Sequence, residues 1–330
     1  MYHFGEMYPI RLNEYYKRYS EINSKPKFWH ILITLPSIIF QGPQSLKNFI
    51  RFVLANQISN KNALLDSKNP PKIIVAIVVA SKDFHLIKSC IEFAINNSLN
   101  PVSKVSIVTP HKDREKCLEI VKVLEILTPI EVISEEVLIS EEDRSKIRTF
   151  FGNKYGWIIQ QLLKISFVKE QNSSGVLIVD ADTLVLEPTL WLDRHFKQLL
   201  LVSNEFHKPY YQFLIKIGLI SKNPQYTFVT HHMVLQPMYL ESILNKICGG
   251  SISKLIDLII SLADRKNSSP VCVEYELYGQ GMFEFFSESI VLSRFCNLPL
   301  KYEGNAFVSE NFVEVYAGRY KSISLHSYLN

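Results

Sequence analysis

Three short apolar runs, separated by segments with helical spacing, constrain the fold of this 330-residue chain more than any other feature. The first run, KIIVAIVVAS (72–81), is rich in β-branched residues, and VSKVSIVTP (102–110) and IEVIS (130–134) follow it. Helical periodicity occupies FHLIKSCIEFAINNS (84–98) and a charged stretch from about 112 to 127. Because strands buried on both faces read as continuous apolar runs, the pattern predicts an α/β fold with a mainly parallel sheet flanked by helices.

A fourth apolar run, in SGVLIVDADTLVLEP (174–188), ends in two aspartates one residue apart. It follows YGWIIQQLLKISFVKE (155–170), which has helical spacing. In an extended segment Asp180 and Asp182 point to the same side, because strand side chains alternate. Neighbouring carboxylates repel each other unless a cation holds them, and ligands of such sheets collect where strands end. We therefore predict a Mg²⁺ or Mn²⁺ site whose open positions are filled by substrate phosphates.

The second half of the chain is less regular than the first. We expect a strand at QLLLVS (198–203), a helix at about 208–219, a strand at YTFVTHHMVLQP (226–237) and two helices within about 238–265. EYELYGQGMFEFF (274–286) and short strands follow these elements.

The clearest boundary in the chain is Asn-Pro-Pro at 69–71, because proline cannot continue a helix. We predict an N-terminal, mostly helical extension over residues 1–70 and a main domain over 71–330. Within the extension, FWHILITLPSIIF (28–40) is too short to span a membrane. The segment after it, SLKNFIRFVLANQI (45–58), interleaves apolar and basic residues, so it suits either a membrane surface or packing over the main domain.

The composition excludes several classes of protein. Thirty-six basic and 32 acidic residues give a net charge of +4, which is too balanced to indicate nucleic-acid binding. Five cysteines without a C-x-x-C pair indicate neither a disulfide framework nor a thiolate zinc site. The first residues lack the basic-then-apolar layout of a secretory signal. We therefore expect a cytoplasmic protein, either free or at the cytoplasmic face of a membrane.

Four motifs resemble those of a known family, and they occur in this chain in the family's order. VDADT at a strand end, after a QQLLK helix, resembles the D-x-D element of GT-A glycosyltransferases, which are nucleotide-sugar-dependent enzymes with a Rossmann-like first half. FVTHHMVLQP resembles their cleft-lining strand, EYELYG the acidic element beside the acceptor, and ISLHSYLN the carboxy-terminal metal-binding histidine. The set is particularly similar to an uncharacterised, mostly bacterial branch with D-A-D-T, H-H-M and E-Y-E-L-Y-G. The resemblance covers about residues 72–330.

The resemblance implies a metal-dependent, hexosyltransferase-like enzyme. It would move a sugar from a nucleoside-diphosphate sugar, in the first place a UDP-sugar, to a hydroxyl of a glycan or glycolipid, as in surface polysaccharide assembly. Residues 71–190 would form the donor half and 191–330 the acceptor half. Mn²⁺ or Mg²⁺ would be held by Asp180, Asp182 and His326, with Asp182 as the stronger ligand. The alternative for His326 is a frayed tail.

The donor would meet four further residues. Arg148 and Lys164 flank the helix that leads into the acidic strand and would neutralise the diphosphate, although both also suit ordinary helix surface charges. Asp83 follows the first strand, where such folds contact the base or ribose. Ala181 lies between the two aspartates and would contact the donor.

The acceptor would meet the later motifs. Inverting transfer needs a carboxylate that deprotonates the acceptor hydroxyl, and Glu274 and Glu276 are the candidates. On a helix these two point apart, so only one can face the cleft, and Glu276 is preferred; Glu274 also suits a helix cap. His231 and His232 alternate along a strand, so we expect one of them to contact the acceptor together with Tyr278.

Two other functions remain open from the sequence. Phosphatases of the haloacid dehalogenase type also end a strand in D-x-D, but they place Thr or Val where Leu184 stands here, and their acidic strand usually opens the domain. The second is a nucleotide-sugar-fold binding module without turnover. In the simplest alternative, Asp180 caps a turn and Asp182 is merely solvated.

Overall fold

The computed structural model describes most of the main domain. The described residues are 65–203, 205, 207–222, 224–263, 274–301 and 320–326, together with 46, 50 and 316. The N-terminal extension predicted over 1–70, with the apolar runs at 28–40 and 45–58, lies almost entirely outside them. No helix within the described ranges is both long and apolar enough to cross a membrane.

Strands and helices alternate through the first half of the main domain. The strands are β1 (Ile73–Val78), β2 (Val102–Thr109), β3 (Ile130–Ser134), β4 (Val176–Asp180), β5 (Thr183–Val185), β6 (Gln198–Val202), β7 (His232–Leu235), β8 (Ile290–Arg294), β9 (Asn297–Lys301) and β10 (Ser322–His326). The α-helices are α1 (Ile87–Asn96), α2 (Arg114–Lys122), α3 (Glu141–Phe151), α4 (Tyr155–Lys169), α5 (Lys208–Lys216), α6 (Pro237–Cys248), α7 (Ile252–Leu262) and α8 (Glu274–Phe285).

A five-stranded central sheet has the order β3-β2-β1-β4-β7. The first four strands are parallel, and β7 is antiparallel to β4. Val78 of β1 lies beside Asp180 of β4, so the acidic strand end lies inside the sheet, between β1 and the edge strand β7. The predicted α/β architecture with a mainly parallel sheet is confirmed.

Helices cover both faces of this sheet, as its continuous apolar strands require. Every residue of β1 is buried, and alternate side chains enter two separate apolar clusters. Ile74 and Ala76 contribute to the cluster that includes α4, α6 and α8, whereas Ile73, Val75 and Ile77 face α1 and α2. The apolar residues expected on the inner side of α4 are all buried: Ile158, Leu162, Leu163, Ile165 and Phe167.

Two helices differ from the sequence predictions. Helix α2 ends at Lys122 instead of about residue 127: Val123 and Leu127 are exposed, whereas Leu124 and Ile126 pack against the core from an irregular segment. Helix α3 was not predicted, since its charged first turn obscures the apolar period. Its start is specified by Ser140, whose Oγ accepts a hydrogen bond from the backbone N–H of Asp143 at 3.2 Å.

The prediction of a continuous strand over 226–237 was wrong. Only β7 is extended, and residues 228–231 make no regular ladder. Side-chain chemistry explains the difference, because the backbone N–H of Phe228 donates to the Glu276 carboxylate at 2.7 Å and is not available to a neighbouring strand. Gly279 allows α8 to approach this loop, since a Cβ there would lie 2.6 Å from the Phe228 side chain.

The prediction that Asp180 and Asp182 share one extended segment was also wrong. Strand β4 ends at Asp180, the chain turns at Ala181 and Asp182, and β5 begins at Thr183 in a different sheet. That sheet has the order β5-β10-β9, with β10 antiparallel to β5 and parallel to β9. At this turn the chain therefore leaves the central sheet and enters a smaller, three-stranded sheet. A further two-stranded sheet pairs β6 with β8.

Candidate active site

The carboxylate of Asp180, at the end of β4, is held by three side chains from different elements. Its Oδ1 accepts hydrogen bonds from Lys164 Nζ on α4 at 2.5 Å and from the Tyr275 hydroxyl on α8 at 2.9 Å. The ring nitrogen Nδ1 of His231, just before β7, lies 3.3 Å from Oδ2. We call these residues, with Glu274, the acid cluster.

Lys164 is the central cation of the acid cluster. Its side chain is only 3% exposed, and Nζ also donates to Glu274 Oε1. Burial by itself would lower the pKa of Lys164, but the charges of Asp180 and Glu274 outweigh it and raise that pKa. Lys164 is therefore a charged lysine buried between two carboxylates.

One lysine cannot neutralise both carboxylates equally. Burial tends to raise the pKa of Asp180, but Lys164 and then His231 outweigh this effect and lower that pKa. Burial raises the pKa of Glu274, and the charge of Asp180 raises it further against the opposing effect of Lys164. Asp180 is thus the carboxylate that stays ionised, and Glu274 is the first to take up a proton.

Asp182 begins the second half of the site, beside β10. Its Oδ2 lies 3.0 Å from Nδ1 of His326, and its backbone carbonyl accepts a hydrogen bond from Leu325 N–H at 2.8 Å. His326 is the final residue of β10 and is buried, so the frayed-tail alternative is wrong. The His231 and His326 rings are 5.6 Å apart between centroids, which joins the two halves of the site.

Two of the expected donor-side residues border Asp182. Asp83 lies in a 3₁₀ turn directly after β1, and Ala181 is buried in the turn between the two aspartates. Burial raises the pKa of Asp83, and the negative charge of Asp182 contributes in the same direction. Asp83 therefore belongs to the electrostatic surroundings of the acidic turn.

Asp182 and His326 have the donor chemistry of a divalent metal site. Adjacent ligands of an octahedral ion with bonds of about 2.1 Å are about 3 Å apart, which is the separation of Oδ2 and Nδ1. Within the described part of the chain, no group of three or more His, Cys, Asp or Glu side chains could hold a metal ion. Mg²⁺ commonly uses one or two protein carboxylates and completes its shell with substrate phosphates. The pair thus fits part of such a shell.

Glu276, the preferred base from the sequence, lies outside the acid cluster. Its carboxylate accepts hydrogen bonds from the Tyr211 hydroxyl at 2.8 Å, the Phe228 N–H at 2.7 Å and Gln280 Nε2 at 2.8 Å. Burial raises the pKa of Glu276 to about 7. Glu274 and Glu276 do point apart, as expected for a helix, but it is Glu274 that joins Asp180 through Lys164.

Three more predicted residues also have their contacts elsewhere. The buried Tyr278 hydroxyl accepts from the Gln236 N–H and donates to Gln198. His232 packs edge-on against Trp191 and Phe295, and burial lowers its pKa to about 3. Arg148 pairs with Glu141 on α3, and its guanidinium lies over the Tyr155 ring. The structure brings none of these three into the acid cluster.

Two residues of the site were not predicted from the sequence. Tyr275 lies between the two predicted glutamates of EYELYG, so its position in that motif could have indicated it. Glu205 carries no such signal, yet its Oε1 lies 3.9 Å from Nε2 of His231. His231 is therefore between two carboxylates. A cavity of about 340 Å³ lies elsewhere, at the end of α6, lined by Lys246, Ile247, Cys248, Gly249, Lys254 and Leu258.

Comparisons with known proteins add a family without an assigned function. The family described as "Family of unknown function (DUF6492)" matches residues 83–213, which is less than half of the chain. This segment contains β4 and the acidic turn but neither Glu274 nor His326. No curated protein matches the chain.

Several solved structures are similar to this chain at low identity. Mouse xyloside xylosyltransferase 1 is 10% identical with a TM-score of 0.43, and the match covers 78% of this chain and 98% of that one. The galactosyltransferase LgtC, solved with donor and acceptor sugar analogues, is 10% identical with a TM-score of 0.43, and the match covers 78% of this chain and 88% of that one. The mannosyltransferase Ktr4p from S. cerevisiae is 9% identical with a TM-score of 0.48, and the match covers 84% of each chain. At these values the similarity carries no functional inference.

Proposed function

We propose that this chain is a metal-dependent glycosyltransferase of the GT-A type. It would move a sugar from a nucleoside-diphosphate sugar, in the first place a UDP-sugar, to a hydroxyl of a glycan or glycolipid. The observation that carries the proposal is the meeting of Asp182 with His326, 144 residues away, beside Asp180 at the carboxyl end of a central strand. This is the sheet edge where α/β folds bind their ligands.

The acidic turn would hold the metal and the donor. Asp182 and His326 would coordinate Mn²⁺ or Mg²⁺, and Asp180 would contact either the metal or the donor ribose. When bound, such an ion neutralises the charge on the leaving diphosphate. Asp83, after the neighbouring strand β1, would contact the base or ribose.

Lys164 has a different role in this proposal from the one that its position in the sequence suggests. Because Nζ is buried and directed at Asp180 and Glu274, it would keep Asp180 ionised and correctly placed instead of reaching the diphosphate. Arg148 and Tyr278 receive no role, since their contacts lie outside the acid cluster.

The acceptor would enter on the side of β7. His231, between Asp180 and Glu205, would contact the acceptor hydroxyl, whereas the buried His232 would support the strand from behind. Inverting transfer would use Glu274 as the proton acceptor, because it lies in the acid cluster and its pKa is raised. Retaining transfer would leave Glu274 as a partner of Lys164. The anomeric configuration of the product, read by NMR, distinguishes these two mechanisms.

A thermal-shift screen tests the proposal. Purified protein is heated with a panel of nucleoside diphosphates and nucleotide sugars, each with and without MnCl₂, because a ligand that binds only the native state raises the apparent melting temperature. We expect one nucleoside diphosphate to raise it in a metal-dependent way. If no nucleotide does so and the protein hydrolyses p-nitrophenyl phosphate, the phosphatase alternative replaces this proposal. If neither signal appears, the alternative of a binding module without turnover is favoured.

A further inference from the structure

Outside the acid cluster, an aromatic pair joins exposed Trp157 to half-buried Tyr210. Trp157, in the first turn of α4, is 37% exposed, and its ring stacks on Tyr210 of α5 with an interplanar angle of 20° and centroids 6.3 Å apart. More than a third of the Trp157 surface is therefore open to solvent beside a second aromatic ring. Neither ring has a part in the acid cluster.

A continuous line of contacts connects this aromatic pair with Asp180. His231 Nδ1 lies 3.3 Å from Asp180, and its Nε2 lies 3.9 Å from Glu205. The other oxygen of Glu205 is 3.4 Å from His207 Nε2, and the His207 ring is 4.9 Å from that of Tyr210 between centroids. The line of contacts starts at the proposed reaction centre and ends at solvent.

The sheet order places this line opposite the expected nucleotide. Asp83 follows β1 and His231 precedes β7, while β4 with Asp180 lies between those strands. A nucleotide that uses Asp83 would therefore approach Asp180 from one side, and the line toward Trp157 begins on the other. Trp157 is also seven residues before Lys164 on α4, about 10 Å along the helix axis.

We propose that Trp157, supported by Tyr210, is a binding subsite for a pyranose ring of an oligosaccharide acceptor, remote from the sugar that reacts. The C–H face of a pyranose is apolar with slightly positive hydrogens, so it stacks on the negative face of an indole ring. The polar groups of Glu205 and His207 along the line suit the hydroxyls of the intervening sugar. This inference rests on the proposed function and extends it, because it selects acceptors longer than one sugar.

Saturation-transfer NMR on the full chain tests the subsite. The probes are methyl glycosides of glucose, galactose and mannose, the disaccharides cellobiose, lactose and maltose, and, separately, UDP with and without MnCl₂. We expect at least one disaccharide to show saturation of its C–H protons, more strongly than its methyl glycoside. Trp157→Ala should reduce that signal about fivefold or more, and Trp157→Phe should retain part of it.

A matched control is Phe285→Ala, which removes an aromatic residue of equal exposure, 37%, on α8. This variant should leave the disaccharide signal unchanged. If no sugar gives a signal that depends on Trp157, or if UDP and not a sugar loses its signal in Trp157→Ala, the proposal is wrong. The metal-dependent thermal shift by nucleotides is measured on the same variant and decides the glycosyltransferase assignment separately, since the donor does not use Trp157.

Discussion

The Nδ1 atom of His326 lies 3.0 Å from Oδ2 of Asp182, although 144 residues separate them in the chain. Strand β10 creates this contact by pairing with β5 directly after the acidic turn, and the Leu325 N–H fixes the register by donating to the Asp182 carbonyl. An aspartate that was merely solvated would not need this arrangement. Asp182 is therefore held by a side-chain partner, and the alternative of a merely solvated aspartate is wrong.

Removal of either partner should abolish metal-dependent nucleotide binding. In His326→Ala and Asp182→Asn the proposed ion would lose one of its two protein ligands, so the shift in melting temperature caused by a nucleoside diphosphate with MnCl₂ should disappear. Circular dichroism should show an intact fold. Asp257→Asn, at an exposed position on α7, is the control and should keep the full shift. Normal shifts in both site variants would refute the metal assignment.

Replacement of the central cation should destabilise the fold. Lys164→Met leaves Asp180 and Glu274 buried without their common partner, which costs about 3–5 kcal/mol in the free energy of unfolding. Urea denaturation measures this loss. Lys169→Met, at the partly exposed end of the same helix, should change the free energy by less than about 1 kcal/mol.

A second substitution makes this test more specific. Adding Glu274→Gln to Lys164→Met removes one of the two buried carboxylates that have lost their lysine partner, so it should restore part of the lost stability. If the double variant is no more stable than the single variant, the two carboxylates do not compete for Lys164.

Stability should depend on pH through Glu276. Because burial raises its pKa from 4.5 to about 7, the folded protein holds a proton that the unfolded chain releases between these values. The contribution of Glu276 is therefore complete below about pH 4.5 and is lost as the pH rises to 7. The loss is of the order of 3 kcal/mol.

Urea denaturation of the wild type and of Glu276→Gln across this pH range isolates the effect. Glutamine keeps an acceptor for Phe228 N–H and does not titrate, so its stability curve should be flatter. Glu241→Gln, at an exposed position on α6, should follow the wild type. Parallel curves for Glu276→Gln and the wild type would contradict the raised pKa.

Two glycine substitutions should have opposite effects. Gly279→Ala places a methyl group 2.6 Å from the Phe228 side chain, so it should destabilise the protein by about 1–3 kcal/mol. Gly156→Ala, at an open position in α4, should stabilise it by about 0.5–1 kcal/mol. Thermal unfolding of both variants measures the difference. Equal effects would show that α8 does not press against the 228–231 loop as described.

The central sheet was predictable from the sequence because its strands are buried on both faces, and a strand of this kind has a continuous run of apolar residues in its sequence. The path after Asp180 was not predictable, since the turn at 181–182 depends on pairing with β10, far away in the chain. The choice between Glu274 and Glu276 depends on the rotation of α8 about its axis. Packing against Phe228 sets that rotation, and spacing in the sequence carries no information about it.

The buried position of Lys164 has a consequence for how sequences of this kind can diverge. A neutral residue at position 164 strands two buried negative charges, whereas loss of Glu274 alone still leaves a balanced pair of Lys164 and Asp180. During evolution, a substitution of Glu274 should therefore precede a substitution of Lys164. Relatives that lack the lysine should have lost a carboxylate as well.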